Sequence, residues 1–360
     1  MSLDSGSSPI INPESKLRID QLGEFGLIER IRHALPPPGH NVLVGIGDDV
    51  AILRGEADRV WLATCDVQME GAHFIRGAIA PHDLGRKALA INLSDIAAAG
   101  GTPRFALVSL GLPKDLEVDF VDELYAGLRA EAESFGVDIV GGNISRSRLG
   151  VFVDIFLLGD APRENILLRS GAHVGDKILV TGTLGDAAAG VALLLDNKLS
   201  TTDAYTAIAR SRRDTPTPRV HEGQLVGAAH AAHAAHAATA MIDVSDGLAS
   251  DLIHLCEKSA VGARLFAKDL PVSDENRALA AIAHGNEYYF ALHGGEDYEL
   301  LFTAPPTQAD VLAAQIAHAT GTRVSIIGEV IAASNGRQLV LPDGSQISLE
   351  AHGWDHFKTA

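Results

Sequence analysis

The sequence predicts an α/β protein of mixed α+β type with two domains. A length of 360 residues is enough for two domains that each have a core of their own. Short β-branched runs alternate with longer helical patterns along the chain. A hydrophobic fraction of 46% and a charged fraction of 21% are typical of globular proteins. We expect a disordered lead over residues 1–22, an amino-terminal domain over residues 23–160 and a carboxy-terminal α/β domain over residues 161–360.

The charge and the cysteine content limit the classes of partner. The formal net charge of −17 argues against nucleic acid, because phosphate backbones are bound by clustered Lys and Arg. The amino terminus lacks the apolar core of a signal peptide, and no apolar run is long enough to span a membrane. The two cysteines, Cys65 and Cys256, are far apart, which fits a reducing compartment. We therefore expect a cytoplasmic protein without nucleic-acid or membrane partners.

The amino-terminal domain begins with two elements of opposite character. Apolar residues at helical spacing predict a helix over residues 23–35, which a run of three prolines ends. A bent strand over residues 44–53 follows, and its glycines allow a sharp turn at Asp48 and Asp49. Two adjacent acids repel, which indicates a bound cation, whereas the alternative is an ordinary Asp-rich turn.

Further acids interrupt apolar runs later in the chain. They end predicted strands at residues 60–66 and 242–245, or lie on a predicted helix over residues 81–100. The set is Asp66, Asp95, Asp243 and Asp246. Because acids are rarely buried unless they are paired or bind a metal, the sequence predicts one shared cation site. Asn92 and Asp95 are three residues apart and therefore share one helical face.

The remaining elements alternate in the same way. Strands are predicted at residues 105–112, 137–140, 151–158 and 324–330, and helices at 116–135, 247–258 and 307–320. Residues 177–186 are predicted as a strand that runs through a glycine turn into a helix over 187–195, and residues 292–302 as a glycine turn that enters a strand. A loop is predicted at 196–219 and a closing hairpin at 339–349. Gly141, Gly142 and Asn143 are expected to break the strand pattern and to admit a phosphate, unless they form a plain hairpin. We interpret His230, His233 and His236 as a solvated helix face and not as a zinc site.

The motifs that are missing narrow the chemistry. The sequence has neither the Gly-x-x-x-x-Gly-Lys-Ser/Thr pattern of P-loop enzymes nor a Gly-x-Ser-x-Gly nucleophile elbow. Several acids and glycine turns remain, and this combination suits a metal-bound polyphosphate.

Five motifs together resemble the thiamine-monophosphate kinase family, which belongs with aminoimidazole ribonucleotide synthetase and its ATP-using relatives. In chain order they are the residues 47–49, 66–74, 87–98, 243–248 and 294–300. The resemblance runs from about residue 23 to residue 357 in motif order. It implies an aminoimidazole ribonucleotide synthetase-like fold, a homodimer formed through the amino-terminal sheet, and ATP in a cleft at the dimer interface.

The resemblance also implies a set of site residues. The magnesium ligands fall on Asp48, Asp49, Thr64, Asp66, Asp95, Asp243 and Asp246. The ATP contacts fall on Tyr125, Gly142, Arg169 and Ser245, and the substrate contacts on His73, Glu296 and Trp354. Cys65 and Asn143 stand where the family usually has Thr and Asp. Asn143 still offers a carbonyl oxygen to a metal and lies beside the ATP contact, and Cys65 offers its backbone carbonyl.

The implied reaction is ATP-dependent phosphorylation of thiamine monophosphate to thiamine diphosphate, a step of thiamine diphosphate biosynthesis. It uses several magnesium ions and needs no covalent enzyme intermediate. Two alternatives are a paralogue that acts on another phosphorylated small molecule and an ATP-binding protein that has lost catalysis.

Overall fold

The computed structural model describes residues 18–232, 237–350, 352, 353 and 357. It divides into two compact units, of which the first comprises residues 1–37 and 355–360 and the second residues 38–354. The first unit contains helix α1 (Ile19–Ala34), which is kinked at Gly23. The helix therefore begins four residues before the predicted start, within the stretch expected to be disordered.

The second unit begins with a six-stranded sheet and two helices. In chain order its elements are β1 (Val42–Val44), β2 (Ala51–Arg54), β3 (Arg59–Met69), α2 (Pro81–Ala98), β4 (Thr102–Leu112), α3 (Val118–Phe135), β5 (Asp138–Arg146) and β6 (Phe152–Pro162). The strand order is β1-β2-β3-β6-β4-β5, and all neighbours are antiparallel except β4 and β5. Alternate residues of β6 are fully buried, so one face of this sheet belongs to the core.

Helix α2 is the central element of the second unit. Proline at its first turn fixes the starting φ angle, and most of its side chains are buried. Gly85 of α2 and Gly127 of α3 allow the two helices to approach closely, because a Cβ atom at either position would collide with the backbone of the other helix. The helix packs on the first sheet through residues such as Leu93 and Ile96.

A second, seven-stranded sheet follows. Its elements are β7 (Lys177–Thr181), α4 (Asp186–Leu195), α5 (Asp203–Asp214), α6 (Val220–Ala232), β8 (Ala240–Val244), α7 (Leu248–Ser259), β9 (Gly262–Phe266), α8 (Asp274–His284), α9 (Tyr289–His293), β10 (Glu299–Ala304), α10 (Pro306–Thr320), β11 (Val324–Ile331), β12 (Arg337–Val340) and β13 (Gln346–Ser348). The strand order is β13-β12-β9-β11-β7-β10-β8. Strands β8 and β10 are buried at every position, as expected of strands covered on both faces.

Several predicted elements differ from the structure. The polar segment 196–219, predicted as a loop, contains α5, whose amino terminus is capped by the Thr202 hydroxyl. Gly141 and Gly142 do not end a strand but lie inside β5. His230 is half-buried and its Nδ1 lies 2.7 Å from the carbonyl oxygen of Ala238, so this histidine is not a solvated side chain. The other two histidines of that run lie outside the described residues. Within the described ranges, no helix is both long and apolar enough to cross a membrane.

Candidate active site

Asp48 and Asp49 lie in the turn between β1 and β2. The Asp49 amide donates to Oδ1 of Asp48 at 3.1 Å, so the two acids share one tight turn. Gly47 precedes them with a φ angle of +116°, and a Cβ atom there would lie 2.8 Å from the Lys258 ammonium. The positive φ angle therefore favours glycine at this position, and the mobile end of Lys258 lies beside it.

Helix α2 connects the acids of the two sheets. On the first sheet, the Thr64 hydroxyl donates to Asp95 at 2.5 Å and the Asp66 amide donates to Asn92 at 3.0 Å. Toward the second sheet, the hydroxyl of Ser94 donates to Oδ2 of Asp243 at 2.7 Å. Ser94 therefore orients Asp243, while its neighbour Asp95 is oriented by Thr64, so one turn of α2 links carboxylates from different parts of the chain.

Three carboxylates converge in this region. Ligand atoms of Asp49, Asp95 and Asp243 all lie within 4.8 Å of one another, and this is the metal-competent group among the described residues. Burial, together with the charges of neighbouring acids, raises the pKa of Asp95 well above its ordinary value. Burial and the nearby Asp49 raise the pKa of Asp243 to about 7. The group is therefore short of positive charge, and a divalent cation would relieve the repulsion.

The ligand types fit magnesium. Carboxylate oxygens, with the Thr64 hydroxyl beside them, are the hard ligands that magnesium prefers, whereas zinc sites are built from Cys and His. Burial and the charge of Asp49 also raise the pKa of Asp48, to about 6, which extends the acidic region to the β1–β2 turn. The donor set therefore fits an oxygen-preferring cation.

Arg169 is a cation that contacts this group. Its Nε and Nη2 atoms both donate to Oδ1 of Asp49, at 3.0 and 2.5 Å. Its backbone amide donates to Oδ2 of Asp48 at 3.3 Å. Arg169 therefore holds both acids of the β1–β2 turn, one through its side chain and one through its backbone.

A buried ion pair lies between α2 and the loop that precedes β10. The Lys87 ammonium donates to Oε1 of Glu296 at 2.7 Å, and the lysine side chain is 2% exposed. Glu296 has a φ angle of +69°, which is rare for a residue with a side chain, and its amide donates to the carbonyl oxygen of Ser245. This strained backbone holds the carboxylate next to the Asp246 loop.

Tyr298 and Asp251 complete the region. The charges of four acids, Glu296, Asp66, Asp243 and Asp246, reach the phenol of Tyr298, whose pKa is raised mainly by burial. Asp251 on α7 accepts from the backbone amides of Asp246 and Gly247, at 3.2 and 3.1 Å. These two contacts fix the loop that carries Asp246, which follows Asp243 by three residues.

The comparisons with known proteins agree with this architecture. The family model of the AIR synthase related protein N-terminal domain matches residues 47–161, and that of the C-terminal domain matches residues 173–340. The thiamine-monophosphate kinase of Aquifex aeolicus is 36% identical over 341 residues, which cover 95% of this chain and 100% of that protein. That of Salmonella typhimurium is 38% identical over 94% of this chain and 99% of the relative.

The chain belongs to the thiamine-monophosphate kinase family. Among solved structures, AaThiL complexed with AMPPCP and TMP has a TM-score of 0.79 and 35% identity and covers 95% of this chain and 100% of that one. The family resemblance and the two-domain α/β fold predicted from the motifs are thereby confirmed.

The structure brings together most of the ligands that the thiamine-monophosphate kinase family implies. Asp48, Asp49, Thr64, Asp66, Asp95, Asp243 and Asp246 all lie in the region described above. Cys65 does not, because neighbouring strand residues point to opposite faces and its exposed side chain lies on the outer face of the first sheet. Its backbone carbonyl, which was the predicted ligand, stays a prediction.

Asn143 also lies on the outer face. It pairs with Ser109, which in turn pairs with Asp154, whereas the buried Val108 and Ile155 form the next row on the inner face. Its side chain donates to the Ser145 hydroxyl at 3.2 Å. Within a single chain, the Asn143 side chain therefore does not reach the acidic group. The role of Asn143 as a metal or ATP ligand stays a prediction.

The expected contacts to ATP and substrate are spread around the acids. Gly142 lies in the same row across the sheet as Asp66, and Tyr125 is half-buried on α3. Ser245 follows β8, and Nδ1 of His73 accepts from the Met69 amide at 3.1 Å. Trp354 lies outside the described residues. These roles remain predictions.

Some residues of the site were not assigned a role from the sequence. Three of them contact the site in the structure: Lys87 binds Glu296, Ser94 binds Asp243, and Asp251 binds the Asp246 loop. A signal was present for Lys87, because it occupies the apolar face of α2 three residues after Leu84 and four before Ile91. Asp251 gave no such signal, because an acid in the first turn of a helix is common on exposed surfaces.

Proposed function

We propose that this protein transfers the γ-phosphoryl group of ATP to the phosphate of thiamine monophosphate, which gives thiamine diphosphate and ADP. The observation that carries the proposal is the group of Asp49, Asp95 and Asp243, which is assembled from both sheets in a chain that matches AaThiL complexed with AMPPCP and TMP over nearly its full length. Such a group suits phosphoryl transfer, where charge neutralisation and alignment supply most of the catalysis.

Magnesium is the cofactor that these acids fit, and several ions are expected. Bound there, it would offset the charge of the transferring phosphates. Asp49, Asp95 and Asp243 would hold the ions, while the hydroxyls of Thr64 and Ser94 keep two of these carboxylates oriented. The acids thus act by binding and positioning the metal ions, and not by transferring protons.

The acceptor needs no general base. A phosphate monoester is already an anion at neutral pH, so its oxygen is ready to attack the γ-phosphorus in line. The bond to the leaving ADP oxygen breaks as the new P–O bond forms, and no enzyme atom is bonded to phosphorus. This mechanism agrees with a site whose described side chains are mainly carboxylates.

Binding roles are assigned on each side of the acids. For ATP, the open backbone of Gly142, the guanidinium of Arg169, Ser245 and Tyr125 are the proposed contacts, with Asn143 beside them. For thiamine monophosphate, they are His73, Glu296 and Trp354. The carboxylate of Glu296 is held by Lys87 and is one-quarter exposed, which leaves it accessible to a cationic ring.

A homodimer is proposed through the outer face of the first sheet. Cys65, Phe156, Leu107 and Gly141 form one row across four strands on that face. Large apolar side chains are exposed there, namely Trp61, Phe105, Leu107 and Phe156, each between 37% and 41%. A contiguous apolar face of this kind supports pairing with a second copy. We also propose a cytoplasmic location, supported by the two unpaired cysteines.

The proposal is tested by product formation. Purified protein is incubated with ATP, magnesium and thiamine monophosphate, and thiamine diphosphate is measured by chromatography beside a reaction without acceptor. We expect thiamine diphosphate that depends on the acceptor. Turnover of a different phosphorylated metabolite, or ATP binding with no product from any acceptor, would instead support the two alternatives, a changed substrate and lost catalysis.

A further inference from the structure

One carboxylate oxygen of the site already has a cationic partner. Oδ1 of Asp49 accepts both hydrogen bonds from the Arg169 guanidinium, and the two side chains are 2% and 19% exposed. The same aspartate belongs to the three acids that lie within 4.8 Å of one another. A guanidinium and a divalent cation therefore need the same buried carboxylate.

We propose that Arg169 is a built-in counter-ion, which holds Asp49 before metal binding and is displaced from it when a divalent cation enters. Displacement frees the guanidinium to bind the phosphates of ATP. This inference rests on the proposed function, because it gives Arg169 two successive anionic partners, a carboxylate of the protein and a phosphate of the nucleotide.

The backbone of Arg169 is fixed while its side chain is less constrained. The backbone amide donates to Asp48, and the backbone carbonyl accepts from the Ser259 hydroxyl at 3.0 Å. The oxygen of that hydroxyl also accepts from the amides of Gly171 and Ala172, both at 3.1 Å. The guanidinium reaches Asp49 from this anchored position and is partly exposed to solvent. Its release therefore requires side-chain rotation and no movement of a strand.

A divalent cation competes with the guanidinium for the charge of Asp49. Burial alone would lower the pKa of Arg169, but the charges of Asp49, Asp48 and Asp243 outweigh it and the net shift is upward. As in other proteins, the arginine is charged at neutral pH. Both N–H groups of Arg169 bind Oδ1 of Asp49, and a metal on the same carboxylate would repel the guanidinium, so each cation weakens the binding of the other.

Competition between Arg169 and the metal predicts the direction in which the metal affinity changes when Arg169 is removed. The apparent metal affinity is the intrinsic affinity reduced by the fraction of molecules in which Asp49 is free. Charge-assisted hydrogen bonds of the type seen here leave that fraction at about a tenth or less. Removal of Arg169 should therefore tighten metal binding without nucleotide, whereas removal of a cation that supports the site would weaken it.

The experiment is a titration with Mn²⁺, followed by electron paramagnetic resonance, on the full chain without nucleotide. Arg169→Gln is expected to bind Mn²⁺ about tenfold more tightly than the wild type. Arg169→Lys keeps the charge but offers one ammonium in place of two converging N–H groups. Its dissociation constant for Mn²⁺ should therefore lie between those of the wild type and Arg169→Gln. Arg264→Gln is the matched control, because Arg264 pairs with Glu329 on the second sheet and Lys177 remains on that glutamate.

The second half of the proposal is tested with a non-hydrolysable ATP analogue at saturating Mg²⁺. Arg169→Gln should bind the analogue at least about tenfold more weakly, and Arg264→Gln should bind it as the wild type does. Equal or weaker Mn²⁺ binding by Arg169→Gln overturns the proposal, as does unchanged binding of the analogue. If Arg169→Gln does not fold, the same comparison between wild type and Arg169→Lys decides the question.

These results are separable from the proposed function. Mn²⁺ binding without nucleotide is measured on its own, whether or not thiamine diphosphate is formed. A wild type that makes no product but shows the expected order of Mn²⁺ dissociation constants would refute the kinase and retain the counter-ion. A wild type that forms thiamine diphosphate, together with unchanged Mn²⁺ binding by Arg169→Gln, would support the kinase and refute the counter-ion.

Discussion

At the scale of single residues, each carboxylate of the site is held by a donor from a different part of the fold. Asp95 has a hydroxyl of β3, Asp243 a hydroxyl of α2, and Asp49 a guanidinium. Hydroxyl donors lower the cost of a buried charge only in part, which is why the pKa of Asp243 remains raised by burial. The donors therefore orient the acids and leave their charge available to a metal.

Asp95→Asn tests this division of labour. The amide keeps an oxygen that accepts from Thr64, but it lacks the charge that holds a metal, so turnover should fall by more than about 100-fold. The melting temperature in metal-free buffer should not fall, because the amide replaces a buried acid whose charged form is disfavoured by burial and by its acidic neighbours. Thiamine diphosphate formation and a thermal scan check both points. Asp310→Asn, an exposed change on α10, should alter neither.

Normal turnover by Asp95→Asn at limiting magnesium would refute the metal assignment. Asp246→Asn should behave in the same way, since its loop is held by backbone contacts to Asp251 that an amide side chain leaves in place.

The protonation of the acids predicts how magnesium stabilises the fold. Asp48 and Asp243 keep their protons in the folded, metal-free protein up to pKa values of about 6 and about 7, against an ordinary 3.8. The unfolded chain loses these protons first, so the contribution of both acids to stability falls as the pH rises from about 4 to about 7.

A divalent cation reverses this loss, because it binds the deprotonated acids. The increase in melting temperature on addition of Mg²⁺ should therefore be small at about pH 5 and larger at about pH 8. Differential scanning fluorimetry at both pH values, with Mg²⁺ or with a chelator, measures the increment. An equal increment at both would count against proton and metal sharing the same carboxylates.

At the scale of elements, the close contact of α2 and α3 sets the position of the site helix. Gly127→Ala should lower the free energy of unfolding by about 1–3 kcal/mol, because its new methyl group would collide with the carbonyl of His82. The gain in helix propensity, about 1 kcal/mol, is smaller than the cost of separating two backbones. Urea unfolding measures the difference.

Gly39→Ala is the control for that substitution, since no atom lies within 4 Å of its added Cβ. It should change stability by less than about 0.5 kcal/mol. An equal effect of both substitutions would mean that helix contact is not the cause.

Periodicity identified most of the elements that carry the acids. The predicted helix over residues 81–100 and the strand over residues 60–66 agree with α2 and the middle of β3. Helix α5 was read as a loop because its segment is polar and ends in two Thr-Pro pairs, although Tyr205 and Ala209 form a buried face at helical spacing. No element was assigned from residue 259 to residue 291, where β9, α8 and the start of α9 lie.

The sequence predicted which acids belong to the site but not which residues contact them. The acids were found because each interrupts an apolar run, and a carboxylate in such a run needs a partner. Which partner it has depends on contacts such as Ser94 with Asp243, separated by 149 residues in the chain. A local pattern does not contain that information. The outward direction of Asn143 likewise follows from its register against β4 and not from its neighbours in sequence.

At the scale of the whole molecule, the exposed face of the first sheet predicts the assembly. Leu107→Glu would place a charge in the proposed interface, and twofold symmetry would place it there twice. The dissociation constant of the dimer should rise by about tenfold or more. Light scattering after size-exclusion chromatography reports the change.

Val311→Glu on α10 adds the same charge at a position that is 51% exposed on a different element, and it should leave the dimer intact. A monomeric wild type, or a Leu107→Glu protein that remains dimeric over the same concentrations, would argue for another interface.

The contacts of Ser94 and Asp95, which are neighbours on α2, also predict where the protein tolerates an inserted or deleted residue. One inserted or deleted codon before Ser94 turns the following helix by about 100°. Ser94 would then leave Asp243 at the same time as Asp95 leaves Thr64. Point substitutions remove these contacts one by one, whereas a single frame-preserving indel removes them together. A scan of such indels should therefore show its deepest loss of function between residues 85 and 95.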